Sequence, residues 1–183
     1  MQQPLFTLFI KSLHDDDAEV RSNSAFALGV LVENTDTDMS SQYLSILQAL
    51  QPFFQVTAAA IRAELHGRDN AAGAVARLIL KNMAALPLDR VLPVLFSALP
   101  LQADRLEYQP ILRAIFLLFQ SNPDYAMNYV DTLLPIFAHL LNPSSDVEIG
   151  EENKAHVINL LQAVEAKAPG KVSGAGLSAF LAQ

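Results

Sequence analysis

The sequence predicts an all-α protein built from stacked pairs of helices, and three observations support this class. Hydrophobic residues make up 51 % of the 183-residue chain, which is ample for a buried core. They recur at three- and four-residue spacing in several stretches, as on the buried face of a helix. Similar helical stretches also return at intervals of roughly 40 to 47 residues.

The repeat is clearest in two stretches that begin alike. Residues 21–25 (RSNSA) align with residues 68–72 (RDNAA), which lie 47 residues further along the chain. Later stretches that end at Asn122 and pass through Leu160 follow their counterparts by about 40 and 43 residues. This period, with two helices per unit, is typical of HEAT or armadillo repeats. We therefore predict a HEAT-repeat superhelical solenoid of about four helix pairs plus a short terminal helix.

The first repeat is predicted over residues 4–34. Pro4 opens a short amphipathic helix that ends near Leu13, since a missing amide is harmless in the first turn. Aspartates 15–17 precede the second helix, where carboxylates satisfy free amides and favour the positive end of the helix dipole. The residues expected in the core are Val20, Ala27, Leu28 and Leu31. The residues expected away from the core are Glu19, Ser22, Phe26, Gly29 and Glu33.

The later repeats are predicted over residues 40–82, 87–122 and 123–168, with residues 171–183 as a terminal cap. Proline inside a helical pattern disrupts the helix, which predicts a kink or break near Pro52 and a break at Pro135.

The second helix of the second repeat is predicted to start at Arg68 or Asp69, with Asp69 as its cap. The preceding segment 56–67 is either helical by propensity or a loop that lengthens the repeat, and the 47-residue spacing favours an insertion. Small residues from Ala71 to Ala76 predict a close approach between neighbouring helices.

Charge is distributed unevenly along the chain. The formal net charge is -7, from 19 acidic and 12 basic residues. Residues 1–40 hold seven acids and two bases, residues 41–113 hold five and seven, and residues 114–183 hold seven and three. Such a surface disfavours nucleic acid, whose phosphates need lysine and arginine, and favours a basic partner. Solubility alone is the alternative explanation.

Several classes of protein are not supported by the sequence. No apolar run long enough to span a bilayer is free of charge and proline, and the first residues lack a basic leader. With no cysteine there is neither a disulfide framework nor a thiolate zinc site. The four histidines lack metal-ligand spacing, and no phosphate loop or nucleophile elbow is present. We expect a soluble intracellular protein with no catalytic activity, no cofactor, no metal and no membrane contact.

A peptide-binding groove is the functional site that the pattern favours. In stacked arrays the second helix of each pair lines the concave face. Asn23 and Asn70 are predicted to hold the backbone of an extended peptide, because an amide both donates and accepts hydrogen bonds. Glu107 and Tyr108 are predicted to surround one lysine with a carboxylate and an aromatic face. The alternative is that the asparagines only cap and cross-link helices while the acids are solvated. The predicted cargo-binding residues are Asn70, Glu107, Tyr108, Asp69, Asn23, Glu33 and Asp104.

Three stretches of the sequence resemble a known family. They read EVRSNSAFALGVLVEN, RDNAAGAVARLI and LPLQADRLEYQPILRAIFLLFQSNPD. These look like the last HEAT repeats of karyopherin-β (importin-β family) nuclear import receptors, and they are most similar to the importin 4 branch. The resemblance extends from about residue 4 to residue 168.

The resemblance implies a function and partners. It implies a carrier that shuttles between cytoplasm and nucleus through the pores, where it meets nucleoporins, and that binds cargo on its concave helices. Cargo release in this family depends on Ran with GTP, which N-terminal repeats outside this chain mainly hold. The implied cargo is histone 3 and histone 4, with ribosomal proteins as a further class.

The family pattern also maps onto individual residues. Asn70 and Glu107 stand at positions for cargo lysines, and Tyr108 stands at an aromatic position. Leu106 stands where the pattern leads us to expect a second acid beside Glu107, so the sequence departs from a paired-carboxylate pocket.

The sequence is therefore interpreted as the cargo-binding C-terminal region of an import receptor for lysine-rich segments of histones. The expected mechanism is charge steering, followed by backbone clamping by asparagine and neutralisation of one or two lysines. The alternative is a HEAT-repeat scaffold that organises a multi-subunit assembly through its convex side or its ends. An exposed apolar edge at residues 4–13 and strong self-association would favour the scaffold.

Overall fold

A computed structural model describes residues 2–57, 59–142, 144 and 147–181, with only the backbone described for Gln2. Over these residues the secondary structure consists of helices and turns without a strand, so the predicted all-α class is confirmed. The chain divides into two compact units, residues 1–111 and 112–183. Each unit is described by itself.

The first unit contains successive helices joined by short turns. They are α1 (Gln2–Ser12), α2 (Ala18–Asn34), α3 (Tyr43–Leu50), α4 (Arg62–Asn82), α5 (Leu88–Ser97) and the first turn of α6 (Tyr108–Ser121). Short 3₁₀ turns occur at Ser40–Gln42, Gln51–Gln55, Met83–Ala85 and Arg105–Glu107. Helix α1 packs on α2, α2 packs along α4, and α3 and α5 also pack on α4.

The start of α2 is built by the aspartates that precede it. Asp17 is the N-cap, and its carboxylate accepts a hydrogen bond from the Glu19 N–H at 2.8 Å. The Arg21 guanidinium donates back to the backbone oxygens of Asp15 and Asp16 at 2.8 and 2.9 Å. The predicted helix start is therefore confirmed, and it uses the capping chemistry expected of aspartate.

Small residues bring α2 and α4 close together. A Cβ added to Gly29 would lie 2.7 Å from the Ala74 Cα and 3.0 Å from the Ala74 Cβ. Ala25, Ala71 and Ala74 are fully buried in the same region. The predicted close approach of neighbouring helices is confirmed, since even one methyl group on Gly29 would push the backbones apart.

The predicted buried stripe of α2 is partly wrong. Leu28 is buried as expected, but Val20 is 38 % exposed. Ser22 and Gly29, which were expected away from the core, are buried. The reason is that α2 packs against both α1 and α4, whereas a single-face pattern assumes one neighbour.

Helix α4 begins earlier than predicted. It starts at Arg62, and its N-cap Ile61 makes no side-chain capping hydrogen bond. Asp69 therefore lies inside the helix, and its predicted role as the cap is wrong. Ala63, Glu64 and Leu65 are strong helix formers, so the segment inserted between the repeats is partly added to the helix.

Proline has different effects at its two predicted break points. Helix α3 ends at Leu50, just before the 3₁₀ turn that contains Pro52, so a break there is confirmed. In the second unit, one helix continues from Val130 to Leu141 through Pro135, so a break at that position is wrong. The interruption instead occurs at the preceding 3₁₀ turn Met127–Tyr129.

In the described part of residues 112–183, the second unit holds the rest of α6 and four further helices. They are α7 (Pro123–Ala126), α8 (Val130–Leu141), α9 (Gly150–Lys167) and α10 (Lys171–Gly174), and a 3₁₀ turn at Ser178–Phe180 follows. Helices α8 and α10 pack on α9. Leu133, Phe137 and Leu161 are buried in this unit.

Short helical pieces occupy the region predicted as the terminal cap, of which Ala182 and Gln183 lie outside the described residues. Pro143, Ser145 and Asp146 of the acidic linker also lie outside them. The numbered repeat boundaries stay a prediction.

Candidate functional site

An open groove lies between the N-terminal parts of α2 and α4. Its volume is about 340 Å³, and it is lined by Glu19, Ser22, Asn23, Arg62, Ala63, His66, Asn70 and Asp104. The structure thus brings three of the predicted cargo-binding residues, Asn23, Asn70 and Asp104, to one groove. Asn23 is exposed there, which leaves its amide accessible to a ligand.

Asn70 is almost completely buried at this groove, with 4 % of its surface exposed. Its Nδ2 donates to the backbone oxygen of Ser22 at 3.2 Å and to the Ser22 Oγ at 3.0 Å. Because only the nitrogen of an amide can donate to a carbonyl, this contact fixes the orientation of the side chain. The other atom, Oδ1, is buried and has no hydrogen-bond partner among the described residues. Asn70 therefore cross-links two helices and keeps a second, buried polar atom without a partner among the described residues.

Both signs of charge occur around the groove. The Asp104 carboxylate lies 4.0 Å from His66 Nδ1, and Arg62 Nε donates to His66 Nε2 at 3.4 Å. Glu19 is exposed at the start of α2. The exposed carboxylate of Glu19 and the half-buried carboxylate of Asp104 give a cationic side chain two places to pair, but it would compete there with the basic side chains already present.

Asp69 lies beneath the groove and holds a turn in place. It is fully buried, and its Oδ2 accepts hydrogen bonds from the N–H groups of Gln102, Ala103 and Asp104 at 2.9, 2.6 and 2.8 Å. Burial raises the pKa of Asp69, and these three hydrogen bonds oppose that rise. Its Oδ1 is buried without a hydrogen-bond partner in the described part of the chain.

A second buried cluster is centred on Arg77 of α4. Arg77 Nη1 and Nη2 donate to Glu107 Oε2 and Oε1 at 2.5 and 3.1 Å, and Nε donates to Glu33 Oε2 at 3.2 Å. The ring of Phe26 lies 5.3 Å from the guanidinium carbon. Arg77, on α4, therefore joins a residue of α2 to a residue of the 3₁₀ turn that precedes α6.

The pKa of Glu107 is raised, chiefly because the carboxyl is buried. The hydrogen bonds and charge of Arg77 oppose the rise, while the like charges of Asp104 and Glu33 add to it. Gly73 makes room for this carboxyl, because a Cβ added at Gly73 would overlap its Oε2 atom. A glycine in the middle of a helix is thus explained by the close approach of Glu107.

The predicted lysine pocket at Glu107 and Tyr108 has a different environment from the one expected. Both residues are 1 % exposed, and the Tyr108 hydroxyl accepts a hydrogen bond from the Leu101 N–H at 2.9 Å. A cargo lysine could reach Glu107 only by displacing Arg77. Contact between cargo and either residue stays a prediction, as it does for Asp69 and Glu33.

The sequence analysis missed the role of Arg77 in this cluster. Glu33 and Glu107 were both singled out, and they lie on α2 and in the 3₁₀ turn before α6. A signal was present, because an arginine on α4 with acids on a helix before it and in a turn after it predicts a cross-link. A helical wheel drawn for one helix at a time does not show this cross-link.

A separate apolar groove lies between α3 and α5, with a volume of about 500 Å³. Leu44 at its edge is 61 % exposed, and Val94 is exposed as well. Leu47, Phe54 and Leu95 also line it.

Among the described residues, no group of three or more histidine, aspartate or glutamate side chains is arranged to hold a metal ion. No helix there combines the length and the apolar character needed to cross a lipid bilayer.

Known proteins resemble this chain in sequence. The HEAT-repeat family model matches residues 5–35, which span α1 and α2, and the predicted HEAT architecture is confirmed. The chain is 39 % identical over 160 residues to the probable importin subunit beta-4 of Schizosaccharomyces pombe, a match over 87 % of this chain and 14 % of that protein. It is 33 % identical to importin-4 of Homo sapiens and 31 % identical to importin-4 of Mus musculus, each over 86 % of this chain and 14 % of the relative. The chain thus spans about one seventh of the length of these curated relatives.

Proposed function

This chain belongs to the importin-β family, in its importin-4 branch, and from that premise we propose that it is a cargo-binding segment of a nuclear import receptor. The proposed cargo is a lysine-rich segment of histone 3 or histone 4, with ribosomal proteins as a further class. The receptor would shuttle between cytoplasm and nucleus, and Ran with GTP would act on repeats outside this chain.

The observation that carries the proposed site is the buried Oδ1 of Asn70, which has no hydrogen-bond partner among the described residues. A buried acceptor without a partner is costly, and a backbone N–H of an extended peptide in the groove would satisfy it. Asn23 lies in the same groove and offers both a donor and an acceptor. The groove therefore suits a peptide backbone whatever its sequence.

Charge supports a basic cargo. Glu19 and Asp104 line the groove, and the chain carries a formal net charge of -7. Such charge steers a lysine-rich peptide toward the protein and weakens in effect as salt is added.

Asp69, Glu107 and Tyr108 are proposed to act indirectly, by fixing the turn that carries Asp104. Asp69 binds the backbone of that turn, and Tyr108 and Glu107 are anchored next to it by Leu101 and Arg77. Glu33 is partly exposed beside Arg77 and is proposed as an outer contact for a lysine.

The groove between α3 and α5 is proposed as the contact for an apolar segment of a nucleoporin, because its lining and its exposed rim are mainly apolar. Leu44→Asp is expected to lower retention on an immobilised nucleoporin while leaving histone peptide binding unchanged. Equal retention of both proteins would refute this contact.

The scaffold alternative has one observation in its favour. Leu5 and Leu8 are exposed on α1, at the apolar edge that the alternative requires. Sedimentation across a concentration series tests it. Strong self-association that Leu8→Ser abolishes would support the scaffold, whereas a monomer at all concentrations would exclude assembly through this edge.

The test of cargo binding is titration of a labelled histone 3 tail peptide into the chain at low and moderate salt. Asn23→Ala, Asn70→Ala and the double variant Glu19→Gln/Asp104→Asn are each expected to weaken binding by about tenfold, through lost backbone or charge-assisted contacts. The matched control is Asp89→Asn/Glu151→Gln, which removes the same charge from exposed positions outside the groove.

Circular dichroism shows whether Asn70→Ala keeps its fold. Equal weakening by the groove variant and the control variant would mean that only net charge matters and would contradict the groove. If the wild-type chain does not bind the peptide, the proposed function of this segment is wrong.

A further inference from the structure

Two large apolar side chains are exposed beside the groove between α2 and α4. Leu106 is 83 % exposed and Ile61 is 64 % exposed, the two highest values for large apolar side chains among the described residues. Ile61 directly precedes the groove residue Arg62, and the Leu106 N–H donates to the carboxylate of the groove residue Asp104 at 3.2 Å. Both are therefore close in the chain to residues that line the charged groove.

The turn that carries Leu106 is held from several sides. Asp69 binds three backbone N–H groups just before it, at residues 102–104. Glu107, directly after Leu106, is fixed by two hydrogen bonds from Arg77. A flexible turn could fold its leucine inward, but these contacts hold the backbone on both sides of Leu106. Its exposure is therefore a fixed feature of the structure.

We infer that Leu106 and Ile61 form an apolar rim that selects basic segments with a large apolar residue close to the lysine that pairs with Asp104. This inference rests on the proposed function of the groove. An extended peptide advances about 3.3 Å per residue, so side chains one to three positions from that lysine lie within reach of the rim.

The groove chemistry argues for this occupant. The carboxylates of Glu19 and Asp104 favour a cationic side chain, and the unpartnered Oδ1 of Asn70 favours an extended backbone N–H. A purely polar basic peptide would leave Leu106 in water, whereas a neighbouring apolar side chain would bury it. The rim thus distinguishes among basic segments, which charge alone attracts equally.

The test uses four fluorescein-labelled peptides of 12 residues each. The first contains only glycine, serine and lysines, and the other three are matched to it but carry leucine one, two or three positions from the central lysine. On the wild-type chain at least one leucine peptide is expected to bind about three- to tenfold more tightly than the first, as partial burial of a leucine side chain predicts. The advantage should disappear in Leu106→Ser, which changes an exposed residue and keeps the fold.

Leu44→Ser is the matched control, because Leu44 is also well exposed but lies on α3 at the other groove. It should keep the full preference for leucine. Equal binding of all peptides to the wild-type chain, with loss of binding in Glu19→Gln/Asp104→Asn, would overturn the rim and leave the proposed function intact. If neither these peptides nor the histone 3 tail binds the wild-type chain, both proposals fail.

Discussion

The first unit contains a buried ion pair between its elements, whereas two ion pairs of the second unit are exposed to solvent. In residues 1–111 the pair Arg77–Glu107 has side chains that are only 9 % and 2 % exposed. In residues 112–183 the pair Lys171–Asp131 has side chains that are 42 % and 79 % exposed. The pair Lys167–Asp124 in the same unit is similarly open to solvent.

This difference shows what each kind of contact does. A buried pair excludes water, so losing one partner leaves a charge that nothing solvates. An exposed pair exchanges easily with water, and its net contribution is small. The first unit therefore uses charge to fix the position of a turn beside the groove, whereas the second unit relies on apolar packing of α8 and α10 on α9.

The largest effect is expected for Arg77→Ala. It leaves the buried carboxylate of Glu107 without its partner and should lower the free energy of unfolding by about 3–5 kcal/mol. Urea denaturation followed by circular dichroism measures the loss. The control is Arg77→Met/Glu107→Leu, which removes both charges and should cost clearly less. A double variant as unstable as Arg77→Ala would show that packing, and not the stranded carboxylate, dominates.

A smaller effect is expected for Gly29→Ala. The new methyl group meets the backbone of Ala74, which cannot move aside like a flexible side chain. Overpacking of this kind should cost about 1–3 kcal/mol in the free energy of unfolding. Gly174→Ala is the control in the second unit, since a Cβ added there meets nothing within 4 Å. Similar thermal unfolding of both variants would contradict the tight contact between α2 and α4.

The smallest effect is expected for Lys171→Ala. Its pair with Asp131 is exposed, so the loss in unfolding free energy should stay below about 1 kcal/mol and shrink further at high salt. Chemical denaturation at two salt concentrations measures it. A loss comparable to that of Arg77→Ala would remove the contrast between the two units.

Much of the helical pattern could be predicted from local sequence. The aspartates before α2, the proline that ends α3 and the small residues of α4 each act on their own part of the chain, and the structure bears them out. Pro135 was misjudged, because packing in the second unit maintains α8 through a residue that disfavours a helix in isolation. Local propensity decides such cases only when tertiary contacts do not oppose it.

The candidate site was predicted in part. Asn23, Asn70 and Asp104 were singled out, and the structure places them in one groove. The burial of Glu107 and Asp69 could not be judged from the sequence. On a helical wheel a carboxylate is placed on the solvent side unless its partner is known. The partner of Glu107 is Arg77, which lies 30 positions away in the chain.

The sequence by itself determined the all-α class, the helix repeat, the acidic character and the family, because periodicity, composition and similarity are properties of the chain. Only the tertiary structure decided which polar residues are buried. The tertiary structure buries Glu107, Tyr108 and Asp69 and leaves Leu106 exposed to solvent. The physical reason is that burial depends on the surfaces of several helices at once, and a charged residue becomes stable inside only when distant residues supply its hydrogen bonds.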